Sequence, residues 1–118
     1  FAPDIVARET EAPNIVVQTG PSAGPHVVFN AHMDTMQAGD ASAWSVPVME
    51  LTRRDGRLYG LGMGNMKGGL AAMCLAISTL RRNQAELKGR ATFAAVSDEV
   101  MFGDRGTEYL LSRRPDRR

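Results

Sequence analysis

The stretch GLGMGNMKGGLAAMCLAISTLRR, residues 60–82, joins a glycine-rich loop to a long apolar run. Within it, apolar side chains recur at the three- and four-residue spacing of a helix that buries one face. They are Met66, Leu70, Met73, Ile77 and Leu80. We therefore predict a helix from Met66 to about Arg82, packed on a sheet, with Asn65 as its amino-terminal cap.

Apolar runs rich in β-branched residues predict strands on both sides of this helix. In chain order the predicted elements are strands at 14–19 and 26–31, a hairpin of 48–52 and 57–59, the helix, a strand at 90–96 and a short helix at 106–112. The first two strands are separated by a turn rich in glycine and proline, which favours antiparallel neighbours. The helix predicts a right-handed crossover to the last strand. We expect the α/β class, with a mixed sheet and flanking helices.

The composition narrows the class of partner. At 118 residues the chain has about the length of one domain, and 14 Lys and Arg against 13 Asp and Glu leave a formal charge of +1. This near-neutral balance argues against nucleic acid and against an anionic membrane surface as partners. The longest apolar run, residues 70–77, is too short to span a bilayer. We therefore expect a small molecule or a peptide as the partner.

The single cysteine and the amino terminus predict the compartment. Cys74 excludes an internal disulfide, and its apolar neighbours Met73 and Leu75 indicate a buried thiol in a reducing compartment. Residues 1–4 show neither the basic start nor the apolar core of a signal peptide. We expect a cytoplasmic protein, and Phe1 in place of an initiator Met favours a processed or truncated chain.

Three short polar stretches carry the candidate chemistry. His32 and Asp34 project to one side just past a predicted strand, so the carboxylate can orient the imidazole as a metal ligand. Asn65 ends the glycine-rich loop, and Glu99 follows the strand at 90–96, where a carboxylate can take a proton from water. Together, in one order along the chain, these stretches favour a metal-dependent hydrolase site at one edge of the sheet.

Each stretch also has a plain structural explanation when it is taken singly. These are a surface ion pair, a helix cap and a turn-forming acid, and His26, beside Pro25, is interpreted as structural. A nucleotide loop fits the glycine-rich segment poorly. Lys67 is followed by Gly68 instead of Ser or Thr, and Asn65 stands where a dinucleotide fingerprint has its third glycine.

These stretches resemble one family closely enough to name it. Residues 30–35, NAHMDT, resemble the Gly-His-x-Asp-Thr/Val segment of the co-catalytic zinc peptidases and deacylases, which include carboxypeptidase G, aminoacylase, acetylornithine deacetylase and succinyl-diaminopimelate desuccinylase. Residues 60–69 are similar to the family's Gly-Arg-Gly-x-x-Asp-Met-Lys-Gly-Gly, and residues 97–100, SDEV, to its Asp-Glu-Glu. The loop at 44–48, WSVPV, fits its Trp-x-x-x-Pro-Phe segment. The resemblance covers about residues 14–111.

The resemblance implies a role for each matching residue. His32 binds a metal ion, Asp34 supports it and Glu99 is the general base, so Asp34 and Glu99 are the expected catalytic residues. Asn65 stands at the position of an aspartate that bridges two metal ions, where a neutral carboxamide is a weaker ligand. Val100 stands at a ligand position and can donate nothing. The implied cofactor is Zn²⁺ or Co²⁺, bound weakly by this chain.

The resemblance also implies what surrounds this chain. It predicts that residues 1–118 are a single, truncated segment of a metallohydrolase catalytic domain, without the family's dimerisation or lid domain. The full-length protein is then expected to be a homodimer. The predicted reaction is hydrolysis of amide bonds in N-acyl amino acids or peptides, with the segment inactive alone.

Two alternatives stay open on the sequence. One is a non-catalytic relative that keeps the fold for binding, with Asn65 and Val100 marking a degraded metal site. The other is a subfamily with rearranged ligands, in which Asp98 or Asp104 replaces a missing donor.

Overall fold

The computed structural model describes residues 3–113, which form a four-stranded mixed sheet with a helix on each face. The strands are β1 (Asp4–Ala7), β2 (Pro13–Thr19), β3 (His26–His32) and β6 (Arg90–Val96), with a separate hairpin of β4 (Thr52–Arg54) and β5 (Arg57–Tyr59). The helices are α1 (Gly68–Arg82) and α2 (Thr107–Arg113), with 3-10 turns at Ala41–Ala43 and Gln84–Glu86 and a wider turn at Met63–Lys67. Within residues 3–113, no helix has the length and apolar character needed to cross a membrane.

Strand β6 lies in the interior of the sheet, whose order is β1-β2-β6-β3. It pairs antiparallel with β2 and parallel with β3, so that Phe93 stands opposite both Val17 and Phe29. Two parallel neighbours need a crossover between them, and the chain between β3 and β6 contains α1. The predicted α/β class, the mixed sheet and the crossover through the helix are therefore confirmed.

The predicted pairing of the first two long strands with each other is wrong. Strand β6 lies between β2 and β3, and it takes hydrogen bonds from both. The turn that separates β2 from β3 is crossed closely by the segment that leads into β6. Gly20 has φ +84°, and a Cβ on it would lie 2.2 Å from the carbonyl oxygen of Gly89. The glycine therefore permits this approach instead of a tight hairpin.

The two faces of β6 supply two apolar cores, because successive side chains of a strand point to opposite faces. Phe93 packs with Val17 and with Ile77 of α1. On the other face, Val96 packs with Val16 and with Leu110 of α2. Burial on both faces holds β6 in place, and its carboxyl end therefore has a fixed position at the edge of the sheet.

Two details of the main helix differ from the sequence prediction. The α-helix begins at Gly68 and not at Met66, because Asn65 and Met66 have non-helical backbone angles. The thiol of Cys74 is exposed and not buried. The helix turns Met73 and Ile77 toward the sheet, and this places Cys74 beside that face, at the rim of an apolar groove.

The shorter elements were predicted less completely. The hairpin is present, but its first strand is Thr52–Arg54 and lies later than the predicted 48–52. Strand β1 was not predicted, because four residues with two of them exposed carry little periodic signal. It pairs antiparallel with β2 and forms one edge of the sheet.

Candidate metal and catalytic site

The carboxyl ends of β3 and β6 meet at one edge of the sheet. The two strands remain paired to their last residues, and the Met33 amide then donates a hydrogen bond of 2.7 Å to the carbonyl oxygen of Val96. His32 ends β3, and the turn that contains Glu99 follows β6. Ligands commonly bind at this edge of an α/β sheet, because the loops there diverge and leave polar groups available.

His32 is the buried centre of this edge, with 5% of its surface exposed. Its Nδ1 lies 2.8 Å from the backbone oxygen of Asp34, and its Nε2 lies 2.9 Å from Oδ1 of Asn65. A carboxylate oxygen of Glu99 stands 3.5 Å from the same Nε2. The structure therefore brings together all four residues that the sequence singled out, although they come from three separate segments.

The surroundings of His32 change its pKa in two opposing ways. Burial lowers the pKa, because it disfavours the charged imidazolium. The hydrogen bonds with Asn65 and with the Asp34 backbone, together with the negative charges of Glu99 and Asp34, outweigh burial and raise the pKa above its ordinary value. The site thus favours the protonated, positively charged form of the imidazole.

Asn65 is not the helix cap that the sequence predicted. No side-chain hydrogen bond caps the start of α1, and the carboxamide of Asn65 points to His32. The glycine-rich loop can come this close because Gly62 has φ +79°. A Cβ at that position would lie 2.4 Å from the Thr35 side chain. Gly62 therefore lets the loop pack against the segment after β3 and present Asn65 to the imidazole.

Asp34 and Glu99 take different positions around His32. The Glu99 side chain is 51% exposed and open to a bound molecule. The Asp34 carboxylate is mostly covered, with Oδ2 accepting a hydrogen bond of 2.9 Å from the Val100 amide. Its Oδ1 is buried, lies 3.5 Å from Nδ1 of His32, and has no hydrogen-bond partner within the part of the chain that the structure describes.

The two acids considered as replacement ligands are occupied elsewhere. The Asp98 carboxylate accepts two hydrogen bonds of 3.0 Å from the Arg105 guanidinium, and these bonds lower the pKa of Asp98 below its usual range. Asp104 forms an ion pair with Arg8. Both carboxylates are paired with arginines in this structure, and a rearranged ligand set stays a prediction.

Sequence reasoning missed two residues that hold the turn after β6. Asn14 is fully buried, and its side chain donates to the Arg105 backbone oxygen at 2.9 Å and accepts from the Ser97 amide at 3.0 Å. Arg105 binds Asp98, as described above. An asparagine at the start of an apolar, β-branched run was a usable signal, because a buried amide needs partners.

The groups at this edge include ligand types for one metal ion and lack the bridge that a pair would require. They comprise an imidazole nitrogen of His32 and the amide oxygen of Asn65, and a carboxylate oxygen of Glu99 lies 3.5 Å from the same nitrogen; zinc accepts nitrogen and oxygen ligands of this kind. Two ions would need an anionic bridging oxygen, which Asn65 does not provide. Within residues 3–113, no group of three or more His, Cys, Asp or Glu side chains is arranged to hold a metal.

The structure is thus an α/β sheet with a histidine, a carboxamide and a glutamate at its carboxyl edge. Comparison with known proteins gives the family. The model of the peptidase family M20/M25/M40 matches residues 28–117. The chain belongs to this family, as the resemblance in its sequence implied.

Individual relatives agree with this assignment. The chain is 36% identical over 106 residues to a succinyl-diaminopimelate desuccinylase of Bradyrhizobium sp. strain BTAi1, a match that covers 89% of this chain and 27% of the relative. It is 38% identical over 95 residues to a probable succinyl-diaminopimelate desuccinylase of Staphylococcus epidermidis, covering 80% and 23%. The crystal structure of human carnosine dipeptidase 1 is similar with a TM-score of 0.74 and 25% identity, covering 98% of this chain and 27% of that one. The chain thus spans about a quarter of the length of these proteins.

Proposed function

We propose that this chain is the amino-terminal part of the catalytic domain of a metal-dependent hydrolase, which cleaves amide bonds in N-acyl amino acids or peptides. The observation that carries the proposal is the convergence of Asn65 and Glu99 on Nε2 of the buried His32, within 3.5 Å. The family and the names of the relatives, desuccinylases and a dipeptidase, support an amide bond as the target.

His32 and Asn65 are the residues we propose to hold the metal ion, with zinc or cobalt as the candidates. A bound ion supplies a Lewis acid that polarises the amide carbonyl and makes water more acidic. These two donors are both neutral and are fewer than a zinc site normally uses, so we propose that further ligands come from outside this chain. We also propose that the rest of the catalytic domain and a dimerisation domain lie outside this chain, and that the full-length protein is a homodimer.

Glu99 is proposed to act as the general base. Its carboxylate takes a proton from the attacking water while the water oxygen bonds to the amide carbon. The same proton then passes to the leaving nitrogen as the carbon–nitrogen bond breaks, which yields a carboxylic acid and an amine. Its half-exposed side chain supports this role, because it can reach a bound substrate. Asp34 keeps His32 in place from the opposite side of the ring.

A non-catalytic relative is the second candidate, and two residues favour it. Asn65 already uses its carbonyl oxygen on His32, and Val100 has no donor in its side chain. A protein of this kind would keep the fold to bind a small molecule or peptide without hydrolysing it. Under either candidate we propose a cytoplasmic location, which the single cysteine supports.

The test is amide hydrolysis by the full-length protein, with zinc or cobalt, on a panel of N-acetyl and N-succinyl amino acids and dipeptides. We expect metal-dependent turnover that falls about 100-fold or more in Glu99→Gln, the usual range for loss of a general base. Glu86→Gln, an exposed glutamate remote in sequence, is the matched control and should keep full activity. Absence of turnover with metal bound would contradict the catalytic proposal and favour the binding protein.

A further inference from the structure

The side chain of Asp34 does not make the contact with His32 that its sequence position implies. The acceptor nearest to Nδ1 of His32 is the backbone oxygen of Asp34, at 2.8 Å, whereas the carboxylate oxygen Oδ1 lies at 3.5 Å. The main chain therefore already orients the ring. The carboxylate is free to act on a different group, and its Oδ2 accepts a hydrogen bond of 2.9 Å from the amide of Val100.

The turn that carries Glu99 is anchored on its β2 side by other residues. The Ser97 amide donates to Asn14, and the Ser97 hydroxyl donates to the Pro13 backbone oxygen at 2.6 Å. Asp98, with φ +62°, is fixed by Arg105. These contacts hold the start of the turn, and Glu99 follows immediately after it.

Asp34, two residues after the end of β3, contacts the turn from the other side. Its hydrogen bond joins residues 66 positions apart in the sequence, and it binds the peptide unit directly after Glu99. With the start of the turn held by Asn14 and Arg105 and the next amide held by Asp34, the backbone on both sides of Glu99 is fixed. The Glu99 carboxylate on this backbone lies 3.5 Å from Nε2 of His32.

We propose that Asp34 is a positioning residue for the proposed general base: its carboxylate holds the Val100 amide and thereby sets the distance between Glu99 and His32. The inference rests on the proposed function for its catalytic consequence. The group that Asp34 contacts at position 100 is the backbone N–H, which any residue except proline supplies, so this contact does not depend on the side chain there.

Asp34→Asn and Asp34→Ala separate this role from an electrostatic one. Asparagine keeps an oxygen that can accept from the Val100 amide but loses the charge, whereas alanine loses both. If Asp34 positions the turn, Asp34→Asn should keep the hydrogen bond from the Val100 amide and Asp34→Ala should lose it. If the charge of Asp34 acts on the imidazole instead, the two variants should behave alike.

The first readout is hydrogen exchange of the Val100 amide in the 118-residue chain, followed by NMR. We expect exchange about tenfold or more faster in Asp34→Ala and within about threefold of the wild type in Asp34→Asn, because the amide is protected only while its acceptor is present. The Phe102 amide, which donates to the Glu99 backbone oxygen inside the turn, serves as the reference and should change less. Protection of the Leu110 amide, bonded to Gly106, verifies that both variants remain folded.

The second readout is kinetics of the full-length protein. A displaced general base should lower kcat about 100-fold in Asp34→Ala, with a small change in KM, and Asp34→Asn should recover most of the loss. Unchanged Val100 exchange in a folded Asp34→Ala variant would overturn the inference, as would equal exchange in the two variants. Fast exchange in alanine with rescue by asparagine would support it even if no substrate were turned over, and that combination would count against the proposed function alone.

Discussion

The two histidines of this chain lie at opposite ends of one strand. His26 begins β3 and His32 ends it, and their even spacing places both on the same face of the sheet. His26 is exposed and its Nε2 lies 2.9 Å from the Thr92 hydroxyl. His32 is buried and lies among an amide, two carboxylates and a backbone carbonyl.

The difference arises from the loops and not from the strand. At the amino end of β3, the backbone of Lys88 and Gly89 packs closely against Gly24 and Pro25, and the side chain that His26 contacts carries only a neutral hydroxyl. At the carboxyl end, the glycine-rich loop and the turn after β6 both bring oxygen donors. A histidine in a strand is thus a metal-ligand candidate when the ends of parallel neighbours lie beside it.

The largest effect we predict comes from weakening β6, the strand that pairs with β3 along its whole length. Phe93→Ala deletes a buried ring from the middle of β6, where it packs with Val17 and Ile77, and should lower the free energy of unfolding by about 3–5 kcal/mol. Urea unfolding followed by circular dichroism measures this. Leu58→Ala, at an exposed site in the separate hairpin, is the control and should change the free energy of unfolding by less than about 0.5 kcal/mol. Equal losses in the two variants would show that β6 does not organise the fold.

An effect of intermediate size concerns the site at the carboxyl end of β3 alone. Asn65→Asp replaces a neutral oxygen at His32 with an anionic one, and Val100→Glu adds a carboxylate to the same edge. Each should tighten zinc binding about tenfold, equivalent to about 1.4 kcal/mol, because carboxylates are stronger ligands than amides for this ion. Isothermal titration calorimetry compares the variants with the wild type. If neither variant binds zinc more tightly, the site is not a metal centre weakened at these two positions.

The smallest effect concerns the loop beyond the site. The hydroxyl and amide of Ser42 donate to the Asp40 carboxylate, and they lower the pKa of Asp40 below its usual value. A lowered pKa in the folded state means that this stabilisation is present at neutral pH and is lost as the pH falls through the folded pKa. Asp40→Ala should therefore lower the Tm slightly at pH 7, and the difference should shrink as the pH falls and the Asp40 carboxylate becomes protonated. Zinc binding should not change, and a change would mean that this loop belongs to the site.

The sequence was sufficient for the elements with strong periodicity. The repeat of apolar residues gave the body of α1, and the short apolar runs gave β2, β3 and β6. Pairing could not be obtained in the same way, because β6 enters between two strands that precede it by more than 50 residues. Non-local pairing of this kind leaves no local pattern in a single sequence.

The sequence identified the residues of the site, but it did not predict all of their hydrogen-bond partners. His32, Asp34, Asn65 and Glu99 were all singled out, and the structure places them together. The partner of the Asp34 carboxylate is a backbone amide, and backbone amides carry no residue-specific signal. The support from Asn14 was equally hidden, since its partners are backbone groups of distant residues.

A zinc titration of three proteins tests the central claim, that the carboxyl end of β3 is a metal site and the amino end is not. Calorimetry on the wild-type chain, His32→Ala and His26→Ala should give one ion per chain for the wild type, with a Kd of about 1 µM or weaker because the two proposed ligands, His32 and Asn65, are both neutral. Binding should be lost in His32→Ala and retained in His26→Ala. Zinc binding that survives His32→Ala, or that disappears in His26→Ala, would contradict the account.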